Sequence, residues 1–146
     1  AFYDKLKGTG FEVIAEEDGN WDPTLSGTIA TSLFAKFGAD GVDAAYGMAD
    51  YMAIPIIEAA KQAGISVGSS GLIVTGSNCF ASGIESIKAG ELYGTATEDP
   101  ITLANQMVDY TLSFLKGENP ERVVTVQEDR VTAKNVADFA EQCTFS

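Results

Sequence analysis

Histidine is absent from the chain. Its absence excludes Ser-His-Asp and Cys-His catalysis, His-ligated zinc and the usual general base near neutral pH. Cysteine is scarce. Cys79 and Cys143 lie too far apart for a Cys-x-x-Cys site and permit one disulfide at most. Their spacing does not force pairing, so free thiols are expected, although an exported setting would favour oxidation. Basic residues are few as well: nine Lys and Arg face 21 Asp and Glu, for a net charge of -12. A phosphate backbone needs a basic footprint, so nucleic acid is excluded as a partner, and so is an anionic membrane surface. No uncharged apolar run approaches the roughly 18 residues that span a bilayer. No basic-then-apolar segment opens the chain, so no signal peptide is visible. No Gly-x-Gly-x-x-Gly or Gly-Lys-Ser/Thr is present to cradle a phosphate.

What is present is 146 residues, 45% apolar and 21% charged. That composition belongs to a globular domain large enough to bury a core of its own. The pattern alternates short apolar strands with amphipathic helices. Residues 1–8 end a helix, and Phe11 to Ala15 forms a buried strand. Asp22 caps the next helix, with Pro23 in its first turn; Leu25, Ile29, Leu33, Phe34 and Phe37 share one face, and Gly38 stops it. Gly41 to Tyr46 is the second strand. Asp50 caps the helix after it, and Pro55 sits deep enough to kink that helix or force a 3₁₀ entry. Gly71 to Thr75 is the third strand, followed by a helix from about Phe80 to Ala89. Leu92 to Thr97 is the fourth, and Asp99-Pro100 opens a helix running to Lys116. Val123 to Val126 reads as the last strand, and Asn135 as the cap of a short terminal helix. Strands separated by helices in this way give an α/β fold with a mainly parallel sheet and right-handed crossovers.

Open parallel sheets bind ligands beyond the carboxyl ends of their strands. Four residues stand out there: Trp21, Asp50, Asn78 and Glu98. Trp21 reads either as a staple on the following helix or as a flat platform for a sugar ring. Asp22, Asp50 and Asp99 read as helix caps that can also touch ligand. Asn78 reads as an Asx-turn residue or a hydrogen-bonding amide. Glu98 has no such local duty. Carboxylates near one pocket also allow a glycosidase pair, though 21 acidic residues produce such pairs by chance.

The segments GFEVIAEEDGNWD, AAYGMADYMAIPIIEAAKQAG, GLIVTGSN, ESIKAGELYGTATEDP and VQEDRVTAKNV follow in order. Together, from Phe2 to about Phe139, they resemble the C-terminal half of the type I periplasmic binding proteins. The branch they resemble is the sugar-binding proteins of ABC importers, relatives of ribose-binding protein. The resemblance implies a Rossmann-like or flavodoxin-like lobe that lacks its first strand. Residues 1–100 would be the ligand-binding lobe. Residues 101–121 would be a hinge-crossing helix that packs on a second lobe, and residues 122–146 a returning strand and C-terminal helix. It also implies that the chain is part of a longer precursor whose start carries an export signal, and that two strands of the isolated piece have unpaired edges. Self-association of the piece is the expected result.

Carried over position by position, the resemblance gives Trp21 ahead of Asp22 as the residue that stacks on a sugar. Ala49-Asp50 replaces an Asn-Asp pair, Asn78 replaces an aspartate, and Glu98 replaces a glutamine before the hinge proline. These departures point away from ribose and leave another sugar or polyol as ligand. The implied function is solute capture for a membrane ABC permease. It is extracytoplasmic, periplasmic or lipoprotein-anchored, with no catalysis, no cofactor and no metal. The alternatives are the effector domain of a sugar-responsive repressor, which tends to end differently, and, last, a carboxylate-pair hydrolase.

Overall fold

Three short strands run parallel and a fourth returns against them. The computed structural model describes residues 2–143. The sheet order is β1 (Ala44–Tyr46), β2 (Ile73–Thr75), β3 (Gly94–Ala96) and β4 (Arg130–Thr132). Ala45 lies opposite Val74, and Thr75 opposite Gly94, in parallel register. β4 pairs antiparallel with β3, so Thr95 faces Val131. The expected α/β class with a mainly parallel sheet is what forms.

The helices form where the caps allow them. In α2 (Pro23–Phe37), Asp22 accepts hydrogen bonds from the N–H groups of Thr24 at 2.7 Å and Leu25 at 3.1 Å. These satisfy two donors that a helix start leaves open. α3 (Asp50–Gln62) crosses from β1 to β2, and α4 (Ala81–Lys88) from β2 to β3. α5 (Pro100–Leu115) begins at Asp99, whose carboxyl is held below the ordinary value chiefly by the Thr102 hydroxyl. The core lies between α2, α3, α4, α6 (Val136–Phe139) and the sheet. Ile57, Ile87, Leu92, Val74 and Val131 are fully buried there, each stabilising the fold by about 1.5–3 kcal/mol relative to exposure.

Several elements differ from expectation. Phe11 to Ala15 has no regular secondary structure and joins no ladder, and Phe11, Val13 and Ile14 are exposed. β1 is the edge strand of the sheet, and Phe11 to Ala15 does not pair with it. α1 (Phe2–Leu6) lies there instead, with Phe2 stacked on Tyr46 at 5.7 Å and the Tyr3 hydroxyl donating to Glu16. Val123 to Val126 is not a strand either, and Val123 and Val124 are exposed. The returning strand sits later, where Val131 is fully buried and Thr97 and Asp129 exchange hydrogen bonds of 2.9 and 2.8 Å. α3 runs through Pro55 as α-helix, without a 3₁₀ entry. Asn135 sits at the N-cap of α6 but does not cap it; its side chain accepts from the Thr132 N–H at 2.8 Å and donates to the Arg130 carbonyl at 2.9 Å. Ala1 of the expected helix tail and residues 144–146 of the terminal segment lie outside the described residues.

The cysteines also depart from expectation, because Cys79 and Cys143 are bonded. The reversal at β4 carries α6 back against α4, which brings the two Cα atoms within 5.1 Å although they are 64 residues apart in sequence. Both are buried.

Candidate functional site

The carboxyl ends of β1, β2 and β3 each open into a loop, and these loops carry the polar side chains in question. After β2, Asn78 forms a parallel bridge with Thr97, beyond the end of β3. That bridge sets the Asn78 side chain beside Glu98, and its Nδ2 donates to the Glu98 carboxylate. Asn78 is half-buried and Glu98 exposed. The amide keeps one N–H and its carbonyl, and the carboxylate keeps its second oxygen. A donor, an acceptor and a charged acceptor side by side suit neighbouring hydroxyl groups, each of which donates once and accepts twice.

Asp50 lies one layer beneath. It is fully buried, so its carboxylate is not part of the exposed surface. It does not cap its own helix; Ala49 occupies that position. Oδ2 instead accepts from the Phe80 N–H at 2.8 Å, at the start of α4, while the Asp50 N–H donates to the Ser77 carbonyl at 2.9 Å. Oδ1 has no donor in hydrogen-bond geometry among the described residues. Burial pushes the carboxyl up to about 6, against the lowering pull of the Thr95 hydroxyl and the Phe80 and Ser77 backbone. The carboxylate is clasped between two glycines. A Cβ at Gly76 would meet Oδ1 at 2.1 Å, and one at Gly83 would meet Oδ2 at 2.2 Å.

Among the described residues, no hydrogen bond or ring contact joins Trp21 to Asp50, Asn78 or Glu98. Trp21 is 60% exposed, so packing on α2 does not account for it. Its loop is nonetheless anchored: Gly19 is buried so close to Met52 of α3 that a Cβ there would meet the methyl at 2.6 Å.

One backbone feature unites the loops. Among the described residues, the non-glycine positions with left-handed φ are Asn20 (48°), Trp21 (55°), Asn78 (79°) and Cys79 (55°). All four follow the segments expected as the first and third strands. Asn tolerates this region, but a bulky Trp there costs of order 1–3 kcal/mol. Such strain persists where surroundings impose it, most often in ligand-contacting segments.

Thr95, Phe80 and Cys79 support the Asn78 turn, a role that reading by residue type did not assign to them. The Cys79 N–H donates to the Thr95 hydroxyl at 3.3 Å, and Phe80 packs edge-on against Tyr51 at 5.4 Å. No local sequence signal marks any of them, because each acts through a partner distant in the chain. Among the described residues, no group of three His, Cys, Asp or Glu could hold a metal ion. No helix of the described residues is long and apolar enough to cross a membrane. Neither of two shallow grooves is lined by Trp21, Asp50, Asn78 or Glu98. One, of about 460 Å³, runs between α2 and α3, and the other lies on α5.

Comparison with known proteins gives a consistent picture. A family model described as a periplasmic binding protein domain matches residues 1–119. A Rhizobium meliloti protein, provisionally named for rhizopine binding, is 30% identical over 130 residues, covering 89% of this chain and 41% of its own. The fold is similar to that of a galactofuranose binding protein (TM-score 0.82, 15% identity, 96% of this chain and 48% of the other). It is also similar to that of a Caulobacter myo-inositol binding protein bound to myo-inositol (TM-score 0.80, 21% identity, 94% and 46%). The chain thus spans less than half the length of these relatives.

Proposed function

Since the chain belongs to the periplasmic binding protein domain family, we propose that it forms one lobe of a solute receptor that captures a sugar or polyol for an ABC importer. The receptor works outside the cytoplasm, in the periplasm or as a lipoprotein at the cell surface, and delivers its ligand to a membrane permease. It performs no catalysis. The observation that carries this reading is the strained, carefully supported pair of loops at the carboxyl edge, which present Trp21, Asn78 and Glu98. In this reading Trp21 offers an apolar face to the ring, while Asn78 and Glu98 take its hydroxyls. Asp50 works from behind, by holding the Asn78 loop.

The domain plan follows the same reading. Residues 1–100 are the ligand-binding lobe, residues 101–121 a helix that crosses the hinge, and residues 122–146 the return. Its support is α5, which has no buried residue and exposes Ile101, Met107, Val108, Leu112, Phe114 and Leu115. An apolar helix face of this kind is covered in a larger assembly. The second lobe supplies the other jaw of the cleft, so the isolated lobe binds weakly or not at all.

Calorimetry of the full-length protein against myo-inositol, D-allose, D-glucose and D-galactose tests the proposal. Saturable binding of at least one is expected, weakened by Glu98→Ala. Binding that is indifferent to Glu98→Ala and to Asn78→Ala would move the site elsewhere, and binding of none would overturn the sugar reading.

A further inference from the structure

The turn that presents Asn78 is fastened to three other parts of the fold. Its Ser77 carbonyl accepts from the Asp50 N–H at 2.9 Å, and its Phe80 N–H donates to Asp50 Oδ2 at 2.8 Å. Those ties hold the two ends of the turn to α3. The middle is held differently. Asn78 and Cys79 are consecutive left-handed residues, with φ of 79° and 55°. A cysteine gains nothing from that conformation, so its neighbours must impose it. The Cys79 N–H has only a long hydrogen bond, 3.3 Å to the Thr95 hydroxyl. A single neutral hydrogen bond at that length does not offset a left-handed cysteine. Asn78 is also bridged to Thr97, and the tie that acts on the Cys79 side chain itself is the bond to Cys143.

The far end of that bond is a firm anchor. Cys143 is buried, and its N–H donates to the Phe139 carbonyl at 2.9 Å, just past α6. Val136 of α6 is buried in the core, and α6 packs on α4 and β4. A covalent tether from this anchor fixes where the Cys79 Cα can sit, and therefore where the preceding Asn78 points. Asn78 in turn meets Glu98.

We propose that the Cys79–Cys143 disulfide is a positioning element of the ligand site. It holds the left-handed Asn78–Cys79 turn, and with it the Asn78–Glu98 pair, so breaking it loosens the turn and weakens ligand binding while the sheet persists. The proposal rests on reading the carboxyl edge as the ligand surface.

The test compares full-length protein with the disulfide intact, the same protein reduced by dithiothreitol, and Cys143→Ala, whose substitution lies outside the turn. All three are held in sucrose, which favours the folded state. Calorimetry uses myo-inositol, D-allose, D-glucose and D-galactose as probes, and amide hydrogen exchange is followed in parallel. On reduction, exchange at Asn78, Cys79 and Phe80 should speed up by about tenfold while Val74 and Thr95 in the sheet hold their rates. Affinity for the bound probe should fall by about tenfold, through loss of preorganisation. Unchanged exchange at the turn overturns the proposal, and so does unchanged affinity. Uniformly faster exchange overturns it as well, since the bond would then act on the whole fold. If Cys143→Ala does not fold, the reduced protein alone decides. Should the oxidised protein bind none of the four probes, the ligand reading itself fails, which is a different result from binding that ignores reduction.

Discussion

Oδ2 of Asp50 accepts a hydrogen bond from the Phe80 N–H at 2.8 Å, joining the first turn of α3 to the start of α4 over the end of β2. This carboxyl is fully buried and pushed up to about 6 from an ordinary 3.8. The folded group therefore holds its proton more tightly than the unfolded one. Its contribution to stability is full below the unfolded value and is lost as the pH rises through the folded one. The decline runs from about pH 4 to about pH 6 and then levels. The gap between 3.8 and about 6 corresponds to at most about 3 kcal/mol. Asp50→Asn keeps an acceptor for Phe80 but cannot ionise. Denaturant unfolding across this range should show the variant gaining about 1–3 kcal/mol on the unsubstituted protein as the pH rises. A constant difference at every pH would show that Asp50 titrates normally.

The clasp around Asp50 makes a second prediction. Gly83→Ala would press a methyl group to 2.2 Å from Oδ2, which cannot withdraw without leaving the Phe80 N–H. Such overpacking costs about 1–3 kcal/mol. In an Asp50→Ala background the obstruction is gone, so the same substitution should cost much less. A double-mutant cycle of unfolding free energies measures the coupling, and additive costs would show that the glycine is not there for Asp50.

Much of the scaffold was legible in the chain, because caps and periodicity are local. Asp22-Pro23 and Gly38 bound α2, and β1, β2 and β3 fall inside the apolar runs that end at Tyr46, Thr75 and Thr97. The failures share a cause, which is that a partner distant in sequence decides. Phe11 to Ala15 has the propensity of a strand but no ladder to join. Val123 to Val126 is the richer β-former, yet Val131 becomes the strand residue because it alone is buried opposite Thr95. Asp50 looks like a cap for α3, and its carboxylate serves Phe80 instead. The cysteine pairing depends on a chain reversal that spacing does not record. For the site, Asn78 and Glu98 were recognisable from their places after strand ends. Their mutual hydrogen bond depends on the Asn78–Thr97 bridge.

Trp21 separates ligand contact from packing. It is 60% exposed, so Trp21→Ala should alter unfolding free energy by no more than about 0.5 kcal/mol. Affinity for the bound sugar or polyol should fall by about 1–3 kcal/mol, the scale of a lost aromatic contact. As the sole tryptophan, it also reports on itself, and its fluorescence should change on ligand addition. Unaltered affinity would remove Trp21 from the ligand site.

The bare face of α5 predicts association of the isolated chain. Sedimentation should show a mass that rises with concentration, as apolar patches find one another. Replacing Met107, Phe114 and Leu115 with Ser should suppress the rise. Since no residue of α5 is buried, each replacement should change stability by about 0.5 kcal/mol or less. A chain that stays monomeric at every concentration, or loses its fold with these changes, would refute the docking role of this face.

The bond between Cys79 and Cys143 also changes what kind of object the chain is. From Cys79 onward it is a closed ring, with α4, β3, α5, β4 and α6 strung around it and the earlier elements as a tail. Lys116 and Arg122 lie exposed in the connector between α5 and β4. A protease that cuts there opens the ring but releases no fragment, because both new pieces remain joined through the sulfurs. Freeing α5 takes a second cut on its other side. A helix with no buried residue is therefore also among the parts that a single nick cannot remove.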